Sequence, residues 1–120
     1  MVIGIGTDIV EVGRIRDLSA AAVKRVLTEG EEEYCQRYNP SHERIAGRFA
    51  AKEAIFKALG TGWGQGVGWS QIEILPDELG APVVTLTGAA RERMLALGAS
   101  RCLLSISHQS EYAVAFALLT

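Results

Sequence analysis

One segment limits the folds open to this chain more than any other: Arg48-Phe-Ala-Ala-Lys-Glu53-Ala-Ile-Phe-Lys57-Ala-Leu-Gly60-Thr-Gly62. It reads as the end of a long helix running into a glycine-rich loop. From about His42 to Leu59 the composition favours helix, Ser41 stands at the N-cap position after Pro40, and Gly60 follows the last periodic residue. At 100° per residue, Ile45, Phe49, Phe56 and Leu59 share one face, and Ala46, Ala50, Glu53 and Lys57 form a neighbouring stripe. On a solvated surface a Glu–Lys pair four residues apart contributes a few tenths of a kcal/mol. Here alanines surround the pair, so a second element or a ligand has room to approach the backbone. Lys52 falls in the middle of the phenylalanine face, and a subunit interface or a partly open face is the expected reason.

A chain of 120 residues makes one domain, residues 1–120, with room for one site or one interface. Twelve basic against fourteen acidic residues give no overall positive field, which argues against nucleic acid as a partner. Cys35 and Cys102 are far apart and form no metal-ligand or CxxC pattern, so reduced thiols are expected. No segment has the length and composition of a membrane span, and the amino terminus lacks a signal-peptide pattern. The expectation is a cytoplasmic protein with no membrane partner.

Residues Val2 to Val10 alternate as a strand, with Ile3, Ile5, Thr7 and Ile9 on one face and Gly4, Gly6 and Asp8 on the other. The glycines leave that second face bare for another backbone, and Asp8 is its only functional group. Asp8 as an N-cap is the plainer alternative. A dinucleotide fingerprint fails, because the third glycine and a parallel βαβ pattern are missing. We expect the alanine stripe to pack on the glycine face, Ala46 and Ala50 against Gly4 and Gly6, bringing Asp8 and Glu53 to similar heights. Two carboxylates so placed repel one another unless a divalent cation is shared between them.

Glu11 to about Arg37 reads as polar helix, broken near Asp17–Ser19 and Gly30, with Arg14, Arg16, Lys24 and Arg25 making its first part basic. After the central helix, Gly60 to Gly68 is a loop that suits either a flexible connection or a phosphate cradle, without the Lys-Ser/Thr ending of a P-loop. Gln71–Leu75 and Pro82–Leu86 read as strands around a turn, and Thr87 starts a short helix ending at Gly98. Arg101–Ser107 and Tyr112–Leu119 form a hairpin in outline, Leu104 and Ile106 on one face, Leu103, Ser105 and Ser107 on the other, His108 at the turn. No catalytic triad or metal-binding histidine pair can be read from the spacing, and the fold class is α+β.

Three stretches together resemble the holo-acyl-carrier-protein synthase family, the small bacterial 4′-phosphopantetheinyl transferases. They are Gly4-Ile-Gly-Thr-Asp8-Ile-Val-Glu-Val-Gly-Arg14-Ile, the Arg48 to Gly62 segment, and Ser105-Ile-Ser-His108 with Tyr112-Ala-Val-Ala. The resemblance implies a small, mostly antiparallel sheet packed on a long central helix. It implies Mg²⁺ on Asp8 and Glu53, and coenzyme A as donor of phosphopantetheine to a serine of apo acyl carrier protein, with Glu53, Lys57 and Asp8 as catalytic residues. Arg48, Lys57, Gly60, Gly62, Pro82, Ser107 and His108 are implied along coenzyme A, Arg14 and Lys24 against the carrier protein, and a homotrimer is the implied assembly. Val12-Gly13-Arg14 departs from the acidic residue commoner before this arginine. Two other readings use the same residues: a Mg-dependent nucleotide pyrophosphohydrolase, and a non-catalytic trimeric binding module.

Overall fold

A computed structural model describes residues 1–61 and 66–120. Gly62 therefore lies outside the described residues. The order is β1 (Gly4–Glu11), α1 (Val12–Arg16), α2 (Ala20–Val26), α3 (Glu29–Gln36), α4 (His42–Leu59), a 3₁₀ turn at Trp69–Gln71, β2 (Ile72–Pro76), β3 (Pro82–Leu86), α5 (Gly88–Ala96), β4 (Cys102–His108) and β5 (Tyr112–Leu119). The α+β class holds. One antiparallel sheet has the order β1-β5-β4, and β2-β3 make a separate antiparallel pair.

The inner face of the larger sheet lies on α4. Its residues are small where the helix comes close: Gly4 and Gly6 on β1, and Ala113, Ala115 and Ala117 on β5, all three alanines buried. A Cβ on Gly6 would fall 1.9 Å from the Ala54 carbonyl oxygen, and one on Gly4 would fall 2.5 Å from that of Ala58. The glycine face thus meets the helix, as expected, but the partners are Ala54 and Ala58 in place of Ala50 and Ala46. As β1 advances from Gly4 to Gly6 its contacts on α4 step back from Ala58 to Ala54, so strand and helix run in opposite directions. Face periodicity fixes which side packs and leaves the sense of packing open.

Lys52 also departs from expectation. It is fully buried within the single chain, its Nζ 2.6 Å from Glu31 Oε1 and donating to the carbonyls of Val26 and Trp69 at 2.6 and 3.1 Å. No subunit interface is needed to account for it. Glu31 in turn accepts from the backbone N–H of Thr28 and of Ile74, both at 2.9 Å. Burial draws the Lys52 ammonium pKa down, and the Glu31 carboxylate opposes that.

The same Glu31 explains where the first helices divide. The break near Asp17–Ser19 is present, but the second comes at Leu27–Thr28, and Gly30 sits inside α3. Thr28 caps α3 by accepting from Glu31 N–H, and Glu31 returns the bond in a reciprocal capping box. Glu11 belongs to β1. Ser41 occupies the α4 N-cap position without a side-chain cap bond, and Gly60 ends the helix in the left-handed region at φ +74°.

Candidate active site

Asp8 lies on the inner face of β1, so its carboxylate points toward α4 and not toward α1; the residue at the N-cap of α1 is Glu11. Lys57, in the last turn of α4, reaches across to it. Its Nζ is 3.0 Å from Asp8 Oδ1 and donates to the Thr7 carbonyl at 2.9 Å. Glu53 stands one turn earlier on the same side of α4. Burial raises the Glu53 carboxyl pKa, the Asp8 charge raises it further, and Lys57 opposes both. The two carboxylates and the amine therefore converge where β1 crosses the last turns of α4.

The other residues placed along coenzyme A by resemblance are not gathered here. Pairing alternation puts Asp8 and Ile106 on the inner face and Ser107 on the outer one. His108 sits at the opposite end of α4, its Nδ1 2.9 Å from Oε1 of Glu43 in the first turn. Arg48 is buried, its Nε donating to the Ile74 carbonyl at 3.2 Å and its guanidinium 4.3 Å from the Tyr34 ring centroid. Pro82 opens β3 at a cleft of about 650 Å³ between β3, α5 and β4. Gly60 stays with Lys57 at the helix end.

Two carboxylates are few for a metal cage, and among the described residues no group of three or more His, Cys, Asp or Glu side chains gathers. Such a pair does fit a cation that takes its remaining ligands from water and substrate phosphate, as Mg²⁺ does.

A family model described as the 4′-phosphopantetheinyl transferase superfamily matches residues 4–117. The chain belongs to that superfamily. A holo-[acyl-carrier-protein] synthase of Shewanella amazonensis is 48% identical to it over 122 residues, spanning 98% of both chains. Among solved structures, the holo-[acyl-carrier-protein] synthase of Neisseria meningitidis superposes with a TM-score of 0.89 at 35% identity, covering 100% of this chain and 99% of that one. A holo-(acyl-carrier-protein) synthase of Bacillus anthracis in complex with CoA (3′,5′-ADP) gives 0.84 at 38% identity, with 99% and 96% covered.

In this superfamily member Arg14, Arg16, Lys24 and Arg25 are all exposed, on α1 and α2. Arg16 and Lys24 border a cleft of about 280 Å³ whose apolar lining includes Ile15, Val23, Leu27 and Ile45. Both thiols are free, as expected; burial pushes each up to about 11, which leaves them poor nucleophiles. The sequence reading missed three polar residues: Glu31, Glu43 and Arg93. Arg93 Nε donates to the Leu59 carbonyl at the end of α4, 2.9 Å away. Each pairs with a partner distant in sequence, and no local periodicity announces such a bond.

Proposed function

We propose that the chain transfers 4′-phosphopantetheine from coenzyme A to a serine of apo acyl carrier protein, releasing adenosine 3′,5′-bisphosphate, as a step serving fatty acid synthesis in the cytoplasm. The observation that carries this is the convergence of Asp8, Glu53 and Lys57 in a chain matched to the superfamily from residue 4 to residue 117. The serine oxygen attacks the β-phosphorus, the bond to the bridging oxygen breaks, and negative charge grows on phosphate oxygens.

Asp8 and Glu53 would hold Mg²⁺, which when bound supplies positive charge to those oxygens. Lys57 is held by Thr7 and Asp8 with its amine at the same place, so a second positive charge is fixed before substrate arrives. Glu53, or a water it orients, is the group we assign to receive the serine proton, with Lys57 as the alternative. Arg14 and Lys24, both exposed, form a basic patch suited to an acidic carrier protein.

We assign the rest of the coenzyme A site to a second copy of the chain, in a homotrimer. The outer face of the larger sheet carries Ile5, Ile9, Val114 and Phe116, with Ile5 59% and Ile9 64% exposed. A contiguous apolar face of this kind suits an interface. Ser107 lies on that face, away from its own Asp8, so a neighbouring chain can bring it to another subunit's carboxylates.

The test is intact mass of apo acyl carrier protein incubated with the chain, coenzyme A and Mg²⁺. A gain of one phosphopantetheine that EDTA abolishes is expected. Coenzyme A cleaved without a gain in carrier mass would support the pyrophosphohydrolase instead, and no reaction with several carriers would leave a binding module.

A further inference from the structure

The site proposed above lies at the electrostatically wrong end of its helix for an anionic ligand. A helix of 18 residues carries about half a negative charge at its C-terminus, from carbonyls left without partners. Asp8 and Glu53 add two carboxylates. A divalent cation would answer the carboxylates, but coenzyme A brings a pyrophosphate and a further phosphate, and Lys57 is partly spent on Asp8 and Thr7.

Arg93 of α5 supplies charge at this spot. Its Nε donates to the Leu59 carbonyl, and one of its terminal nitrogens, Nη2, lies 3.6 Å from where a side chain on Gly60 would begin. The Gly60 N–H serves the Phe56 and Lys57 carbonyls, and Arg93 Nε serves that of Leu59. A guanidinium has five N–H donors in a fixed fork. One is spent on Leu59, and the others find no further partner among the described residues. Gly60 follows Lys57 by three residues, so Arg93 stands at the same end of α4 as the proposed chemistry.

We propose that Arg93 is a binding residue for coenzyme A, donating to a phosphate oxygen of the nucleotide beside Gly60. This rests on the phosphopantetheinyl transfer reading. The experiment compares wild type, Arg93→Gln and Arg93→Lys in three measurements: KM for coenzyme A with kcat, calorimetric binding of adenosine 3′,5′-bisphosphate at two salt concentrations, and melting temperature. For Arg93→Gln, KM and Kd are expected to rise about tenfold while kcat stays within about threefold, as for loss of one charge-assisted bond. Its binding should also depend less on salt. Arg93→Lys keeps the charge without the fork and should recover affinity in part. A lowered melting temperature with KM and Kd unchanged in either variant would overturn the proposal and leave Arg93 a helix-end support. A folded wild type that modifies no carrier would instead overturn the transfer reading, and this inference with it.

Discussion

At the scale of single residues, the role proposed for Glu53 and its effect on stability carry opposite signs. Its pKa in the folded chain is raised above the ordinary carboxylate value, by burial first and by Asp8 second. The folded state therefore holds a proton on Glu53 more tightly than the unfolded state does. Its contribution to stability is full below the unfolded-state value and is lost as pH rises through the folded-state value. In metal-free protein, Glu53→Gln should remove this penalty and leave the melting temperature at neutral pH unchanged or higher, while transfer falls at least about a hundredfold. Added Mg²⁺ should raise the wild-type melting temperature more at pH 7.5 than at pH 5, because the ion needs Glu53 deprotonated. Calorimetric melts at the two pH values check both points; an equal Mg²⁺ effect on the Glu53→Gln variant would remove Glu53 from the metal site. Asp8, Glu53 and Lys57 were legible in the sequence because helix and strand periodicity aim them. Lys52 was not: its partner Glu31 is on another helix, and no spacing rule connects the two. Replacing Lys52 alone with Met leaves a buried carboxylate without its cation, and should cost about 3–5 kcal/mol in denaturant unfolding. The double change Lys52→Met with Glu31→Gln should cost less than the two single changes added together.

Between elements, β1 against α4 is the contact that sets the position of the site. Backbone approaches backbone there, since the strand contributes glycine and the helix contributes alanine. Gly6→Ala would place a methyl 1.9 Å from a helix carbonyl oxygen that cannot move independently of α4. Strand and helix must then separate, and the expected cost is ~3 kcal/mol. The displacement also carries Asp8 away from Lys57, so transfer should fall in that fraction of the variant that remains folded. Unfolding curves and activity per folded molecule separate the two effects, and a Gly6→Ala protein with wild-type stability would contradict the packing. The bare strand face and the small-residue helix stripe were both visible in the sequence. Their relative direction was not, because alternation by two and periodicity of 3.6 define sides and are silent about polarity. The second break among the first helices was missed for a related reason. Gly30 looked like a stop signal, whereas the Thr28–Glu31 capping box starts α3 just before it and outweighs one glycine within a helix.

For the whole molecule, the question is whether one copy of the chain holds a complete site. Glu43, which fixes His108, and Glu53 are ten residues apart on one straight helix, about 15 Å along its axis. Ser107 points from the opposite face of the sheet. If both ends contact the same coenzyme A, the simplest arrangement takes Asp8, Glu53 and Lys57 from one copy and Ser107 and His108 from its neighbour. Two crippled proteins should then repair one another. Glu53→Gln and His108→Ala, each nearly inactive alone, should on unfolding and refolding together regain roughly a quarter of wild-type activity, the random share of interfaces that receive both intact ends. Separate refolding followed by mixing, without exchange of chains, should regain none. A parallel change on the outer sheet face, Ile9→Glu, should yield monomers by sedimentation and remove activity while leaving Asp8 and Lys57 in place. Activity that persists in an Ile9→Glu monomer, or a co-refolded mixture no better than its parts, would put the whole site within one chain. In that case the exposed Ile5, Ile9 and Phe116 would serve some other contact.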